Sequence, residues 1–326
     1  MLLSQNQRQL RIPEGDSAFR HDVLKGLSLR PRAIPARWLY DRRGSELFEA
    51  ITALPEYYPT RAERFILANA ASEIAALIGA ERAIVEFGSG SSTKTLILLS
   101  ELNPSAYVPV DISTDFLWES AERLSKAFPD LAIYPVEGDF TVSLRLPAEI
   151  RSMPRLGFFP GSTIGNLVVP AAADLLRTLA ATLGTGSMLL VGIDRVKNTQ
   201  LLLPAYDDAQ GITAAFNLNL LHRINRELRA SVPVNAFRHL VRWNDDEARI
   251  EMHLEAIRDV PFVVEGRDFW MRRGETIHTE NSLKYGPPEA CVLLRAGGWT
   301  PIAEWTDSGG LFSVYLAKRA ATPEAP

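Results

Sequence analysis

Between Ala83 and Asp194 the sequence keeps switching between two periodicities, and that alternation restricts the fold more than any other feature. Short apolar runs predict strands at Ala83–Phe87, Ala106–Val110, Leu131–Val136, Arg155–Phe159 and Ser187–Ile193. Helical spacing predicts helices at Lys94–Leu102, Thr114–Ala127 and Pro170–Leu183. The strands show no polar alternation, so both of their faces are expected to be buried. Repeated strand–helix units of this kind build an α/β fold with a parallel, doubly wound sheet.

In such a sheet ligands sit beyond the carboxyl ends of the strands. The first strand ends in Glu86-Phe87 and breaks into Gly88-Ser89-Gly90, followed by Ser91-Ser92-Thr93 and a helical run from Lys94. Glycine lets the backbone turn sharply and approach a ligand closely, and a helix start offers unpaired N–H groups. A dinucleotide fingerprint would place a third glycine where Thr93 stands, which weakens a nicotinamide or flavin reading. Gly-x-Gly followed by Ser and Thr suits S-adenosylmethionine (SAM), which has no pyrophosphate to seat. Glu86, Asp111, Asp139 and Asn166 fall at or just beyond successive strand ends. Asp111 lies about 20 residues past the glycines, where a carboxylate can accept the ribose hydroxyls. Asp139 is placed to take the adenine amino group while Phe140 covers the base. Each acid alone is more readily a helix cap or a solvated turn; the four polar residues in register with the loop favour a ligand site.

The remainder of the chain does not follow this repeat. Residues up to about 20 and those beyond Lys318 are expected to fray. The segment from Pro31 to Thr60 is rich in aromatics and prolines, with a short helix expected over Gly44–Ile51, Ser45 as its cap, and an extended turn at Tyr57–Arg61. A helix is predicted over Thr60–Ala80. From about Lys197 to Pro287 the pattern becomes α+β: a helix over Thr213–Leu228, then period-two segments in which Ile250, Met252 and Leu254 share one face. Extended backbone also puts Glu280 and Ser282 on one face. A helix over Ala290–Ala296, stopped by Gly297-Gly298, and strands over Trp299–Trp305 and Leu311–Ala317 resume the sheet pattern. The expected organisation is a catalytic sheet domain of residues 61–196 and 288–320, and a substrate-binding domain of residues 15–60 and 197–287.

Charge and composition narrow the function. The net charge of −4 and the absence of a basic run give no support for nucleic-acid binding. A single cysteine, Cys291, rules out an internal disulfide and a cysteine-rich zinc site. No apolar run reaches membrane-spanning length and Met1–Gly15 lacks the apolar core of a signal peptide, so a cytoplasmic protein without membrane contact is expected. The histidines, His21, His222, His239, His253 and His278, show no metal-ligand spacing, and no metal is expected.

Several long strings resemble the bacterial L-histidine Nα-methyltransferases of ergothioneine biosynthesis. They are Leu54-Pro55-Glu56-Tyr57-Tyr58-Pro59-Thr60-Arg61, Phe87-Gly88-Ser89-Gly90-Ser91-Ser92, Gly161-Ser162-Thr163-Ile164-Gly165-Asn166, Ala214-Ala215-Phe216-Asn217-Leu218-Asn219, Ile250-Glu251-Met252-His253-Leu254 and Thr276-Ile277-His278-Thr279-Glu280-Asn281-Ser282. The resemblance runs from Tyr40 to Tyr315 and implies a class I SAM-methyltransferase domain, Rossmann-like, beside a second α+β domain. It implies SAM contacts from Tyr40, Gly88, Lys94, Asp111, Asp139 and Phe140. It implies that Asn166 and Tyr206 hold the carboxylate and amine of the amino acid, and that Tyr57, with Gly161 and Thr163, lines the methyl-transfer site. Met252, Glu280 and Ser282 would surround the imidazole. The implied reaction is trimethylation of the α-amine of free L-histidine to hercynine by a monomeric enzyme. Tyr57 is the candidate catalytic residue, to orient the amine and pass its proton to water. A relative could act on tryptophan or tyrosine, but a carboxylate at 280 suits an indole or a phenol poorly. A dehydrogenase would be separated by binding of NAD rather than SAM, and a SAM-binding module without catalysis by the absence of SAM turnover in the presence of histidine.

Overall fold

The structure, a computed structural model, describes residues 14–90 and 94–319. The expected Ser91–Thr93 segment after the glycines lies outside the described residues, as do 1–13 and 320–326. The opening segment, expected to fray, is a helix from residue 14 onward: α1 (Glu14–Ser28) buries Phe19, Val23, Leu24 and Leu27 along one face. A two-residue strand β1 (Arg32–Ala33) follows, then α2 (Arg42–Thr52) and the long α3 (Tyr58–Ile78).

Two expectations for this segment need correction. The cap of α2 is Asp41, not Ser45: its Oδ1 accepts the Gly44 N–H at 2.7 Å, so the helix starts earlier. Tyr57–Arg61 is not an extended turn, because α3 already begins at Tyr58. Pro59 sits in the first turn, where its missing N–H has no helical partner to lose.

The alternating region forms β2 (Ala83–Phe87), α4 (Thr95–Leu102), β3 (Ala106–Asp111), α5 (Thr114–Ala127), β4 (Ala132–Ile133), β5 (Val136–Glu137), β6 (Arg155–Phe159), α6 (Val169–Leu183) and β7 (Met188–Asp194). The single strand expected over Leu131–Val136 is two short pairings instead. Pro135 lies between them and has no N–H to donate to a ladder. The chain then supplies α7 (Thr199–Leu202), α8 (Ile212–Glu227), β8 (Phe237–Asn244), β9 (Arg249–Ala256), β10 (Val260–Val264), β11 (Arg267–Met271) and β12 (Thr276–Leu283). It closes with α9 (Pro287–Ala296), β13 (Trp299–Thr306) and β14 (Phe312–Arg319).

The large sheet runs β13-β14-β7-β6-β2-β3-β4, with β5 also on β3. The inner strands are parallel, and β14 and β13 are antiparallel to their neighbours. Every residue of β2 and of β7 is buried, as runs without polar alternation require. One face packs on α6 and α9, the other on α3 and α4. From β2 the chain goes outward to β3; after β6 it goes the other way to β7. The β2–β6 crevice is therefore the switch point where doubly wound sheets bind ligands.

A second sheet runs β1-β12-β9-β8, and β10 and β11 form a separate hairpin. Here β1, from the opening segment, lies parallel to β12, pairing Arg32 with Ile277. One apolar cluster joins Phe19–Tyr58 side chains to those between Leu202 and Ile277, distinct from the two clusters on the large sheet. Its inward face carries Ile250, Met252 and Leu254, the alternation expected for β9.

Candidate active site

Above the β2–β6 crevice the two sheets enclose a chamber of about 640 Å³. Its wall includes Tyr40, Tyr57, Gly88, Lys94, Asp111, Asp139, Phe140, Gly161, Thr163, Asn166 and Glu280. Tyr206, Met252 and Ser282 do not reach it. Ser282 and Tyr206 are bonded to each other behind the wall at 2.7 Å, and Met252 is the cross-strand neighbour of Glu280.

On the β2–β3 side the loop glycines take left-handed conformations, Gly88 at φ +75° and Gly90 at φ +47°. A Cβ on Gly88 would meet the Phe140 ring at 3.6 Å, so the loop lies against that ring. The Gly90 N–H donates to Asp111 Oδ2 at 3.0 Å and the Ser113 N–H to Oδ1 at 2.9 Å. Burial pushes the Asp111 carboxyl up, with those N–H groups pulling the other way. Asp139 accepts from Thr141 through Oδ1 and from Arg37 through Oδ2, the latter at 3.3 Å. Phe140 stands edge-on to Phe159 and Phe87. Glu86, a strand-end acid on the chamber wall, accepts the Thr95 and Tyr107 hydroxyls through Oε2 at 2.5 Å each, and burial lifts its carboxyl to about 7.

Lys94 points its ammonium at Glu63 Oε2, 2.5 Å away, and the same carboxylate accepts the Gly161 N–H at 2.9 Å. Glu63 is fully buried in α3. It fits because residue 192 is glycine: a Cβ there would come within 2.0 Å of Glu63 Oε1. Gly161 itself sits at φ +79°, starting the loop that carries Thr163 and Asn166.

On the opposite wall aromatic rings converge. Phe48 lies 5.5 Å from Tyr40 and 6.1 Å from Tyr57, and Tyr57 is 6.2 Å from Tyr206, all edge-to-face. Burial drives the Tyr57 phenol well above its ordinary value, reinforced by Tyr206 and Glu280. Tyr40 is raised for the same first reason. Glu280 is buried, and its Oε2 has no hydrogen-bond partner among the described residues. Burial lifts its carboxyl to about 7, with Lys284 pulling it down. A buried acceptor without a donor costs free energy until a ligand N–H meets it.

A glycine loop against an aromatic ring, a carboxylate at the next strand end and an orphan acceptor across the cavity fit a nucleoside-bearing donor facing an N–H-bearing acceptor. Sequence comparison agrees: the model of a family described as histidine-specific methyltransferase, SAM-dependent, matches residues 19–319. The chain belongs to the histidine-specific, SAM-dependent methyltransferases. The methyltransferase is 42% identical over 309 residues to the histidine N-alpha-methyltransferase of Mycolicibacterium smegmatis, covering 93% of this chain and 95% of the relative. It is 42% identical over 312 residues to the protein of that name from Mycobacterium tuberculosis, covering 94% and 96%. It is also 30% identical over 299 residues to ergothioneine biosynthesis protein 1 of Neurospora crassa, covering 89% of this chain and 33% of that longer protein.

Sequence reasoning overlooked several groups around the methyltransferase's chamber. Glu63 carries a usable signal: it is an acid on the same helical stripe as Ile66, Ala70 and Ile74. Asp194, Tyr58, Lys197 and Lys284 form a second buried network. Asp194 Oδ2 accepts from the Tyr58 hydroxyl and from Lys284 at 2.7 Å each, and Oδ1 from Lys197 at 2.5 Å. Burial opposes the Asp194 charge, but Lys284 and Lys197 outweigh it and hold the carboxyl below the usual carboxylate range. Arg37, paired with Asp22 and Asp139, joins the opening segment to the loop after β5.

Proposed function

We propose that this methyltransferase trimethylates the α-amino nitrogen of free L-histidine, forming hercynine in the first step of ergothioneine biosynthesis. Residues 61–196 and 288–320 would hold SAM, and residues 15–60 and 197–287 the amino acid. The observation that carries this reading is Glu280: a buried carboxylate with an unpaired oxygen, on the chamber wall opposite the glycine loop. An imidazole N–H is the donor of a natural amino acid that suits it.

Bound SAM supplies a methyl group made electrophilic by the sulfonium. The residues then have to align and discharge. Gly88, Asp111, Asp139 and Phe140 would seat the nucleoside, and Lys94, held by Glu63, the carboxylate end. Asn166 would hold the histidine carboxylate and Glu280 the ring, with Tyr206, Met252 and Ser282 supporting that wall from behind. In-line alignment of nitrogen, methyl and sulfur provides much of the acceleration in such a displacement. The α-amine must present its lone pair, so it reacts neutral. Each transfer forms an N–C bond, breaks the S–C bond and leaves the nitrogen cationic; a proton departs before the next transfer. The raised Tyr57 phenol stays protonated at neutral pH, which suits orienting the amine through its hydroxyl rather than acting as a free base. Tyr40, Phe48 and Tyr57 present ring faces and edges that tolerate a quaternary ammonium.

The test is incubation with SAM and each standard amino acid, with products read by mass. Histidine alone is expected to gain successive methyl groups up to three. Methylation of tryptophan or tyrosine in preference to histidine sinks the reading.

A further inference from the structure

Lys94 follows β2 and Gly161 follows β6, the two strands that flank the crevice, and both residues lie on the chamber wall. One acid stands behind both. Glu63 is fully buried; its Oε2 accepts from the Lys94 ammonium at 2.5 Å, and its two oxygens straddle the Gly161 N–H at 2.9 and 3.1 Å. An ammonium has three N–H groups. Glu63 takes one, no other acceptor among the described residues takes the rest, and the chamber is left to them. Lys94 also lies against the Gly161 loop, since a Cβ on Gly161 would come 3.4 Å from its Nζ.

Sharing one carboxylate sets its two partners in competition. A carboxylate bonded to an ammonium has less negative charge to offer a second donor, and hydrogen bonds to an ionised acceptor are the stronger kind. Away from water the trade is felt in full, because a buried hydrogen bond is electrostatically stronger than the same bond in solvent. In the scheme above Lys94 meets the carboxylate end of SAM. A second carboxylate reaching it from the chamber draws the ammonium from Glu63, and Glu63 then binds the Gly161 N–H more tightly. That N–H opens the loop carrying Thr163 and Asn166, which lie on the same chamber wall and are placed around the amino acid. A loop already fixed in its bound conformation costs less to bind.

We propose, resting on the histidine reading, that Glu63 is a positioning residue that couples the two sites, so that a carboxylate at Lys94 tightens the binding of histidine through the Gly161 loop. The coupling belongs to the amino-acid end of the donor. Gly88, Asp111, Asp139 and Phe140, assigned to the nucleoside, form no bond to Glu63, whose partners among the described residues are Lys94 and Gly161. A residue that only supported the fold would weaken both ligands when altered and leave the effect of one on the other unchanged.

The experiment titrates histidine calorimetrically into the enzyme alone, with saturating S-adenosylhomocysteine, and with saturating methylthioadenosine. Neither thioether is a sulfonium, so no methyl is transferred; the first keeps the amino-acid end of the donor and the second lacks it. In the unaltered enzyme S-adenosylhomocysteine is expected to lower the histidine Kd by about fivefold or more, and methylthioadenosine by less than about twofold. Glu63→Gln keeps an oxygen for the Gly161 N–H but has no charge to share. There the gain from S-adenosylhomocysteine should fall below about twofold, while each ligand alone still binds. A gain below about twofold in the unaltered enzyme overturns the proposal. So does an equal gain from methylthioadenosine, or an undiminished gain in Glu63→Gln. The comparison of the two thioethers needs no variant, so it can overturn the proposal even if Glu63→Gln does not fold. Failure of the unaltered enzyme to bind and methylate histidine at all is a different result, and it removes the functional reading beneath the proposal.

Discussion

The Lys94 ammonium stands 2.5 Å from Glu63, and that same carboxylate holds the backbone N–H of Gly161. One buried acid thus links the helix behind the glycine loop to the loop after β6, on either side of the switch-point crevice. Removing one member of a buried pair strands the other charge. Lys94→Met should approach the roughly 3–5 kcal/mol destabilisation typical of such losses. Combining it with Glu63→Leu should recover part of that loss, since no lone charge remains. Urea unfolding of both variants checks the order; equal stability of Lys94→Met and the parent overturns it.

Glu280→Gln keeps the shape of the side chain and removes the acceptor charge. Histidine affinity should fall by about 10- to 100-fold, in line with a hydrogen bond to a charged group, while SAM affinity holds. Calorimetry with each ligand separates the two, and an unchanged histidine isotherm takes Glu280 out of the site.

The same substitution has a pH signature. Burial raises Glu280 to about 7 from an ordinary value near 4.5. Between those values the folded chain binds more protons at this site than the unfolded chain does, so stability falls as pH rises. The contribution is complete below about pH 4.5 and gone once pH passes about 7. Glu280→Gln should therefore gain stability relative to the parent across that window, with the difference growing toward neutral pH. Parallel stability curves for the two proteins from pH 5 to about 8 count against the assignment.

Asp111→Ala removes the acceptor for the Gly90 and Ser113 N–H groups. SAM affinity is expected to drop by about tenfold or more, through the lost acceptor and the loosened loop together. Equilibrium binding of SAM to the variant measures it; unaltered affinity places the nucleoside elsewhere.

Asp41→Ala tests the cap of α2. Besides the Gly44 N–H, Asp41 accepts from Asn219 at 2.7 Å and from Arg226 at 2.6 Å, both on α8. A cap alone contributes about 0.5–2 kcal/mol, so a loss at the upper end is expected. Ser45→Ala should change stability by a few tenths of a kcal/mol at most. Thermal melts of the pair decide between the two caps.

Different parts of the molecule were readable for different physical reasons. The inner strands of the large sheet announce themselves because a strand buried on both faces has no room for polar alternation. β12 and β9 show their burial by period two. Pattern reports which face a side chain is on, not how deep it lies, so Tyr206, Met252 and Ser282 were expected at the chamber wall and stand behind it. Ser45 fits the local cap pattern, whereas two of the three partners of Asp41, Asn219 and Arg226, come from distant α8, which no local pattern shows. Glu63 is the clearest case. Its meaning depends on Lys94, Gly161 and Gly192 meeting at one point, and only the sheet order brings those together.

The pairing of β1 with β12 also governs how the molecule can be made. Arg32 is made well before its partners, Ile277 on the ladder and Glu275 and Trp270 through its guanidinium, the last two 243 and 238 residues further along the chain. β14 arrives later still and inserts between β7 and β13. Both sheets wait for strands far along the sequence from their first ones, and contacts this distant in sequence are slow to form. A chain made only as far as residue 275 lacks β12, the strand that joins β1 to β9, so the apolar face of α1 waits for a completed sheet.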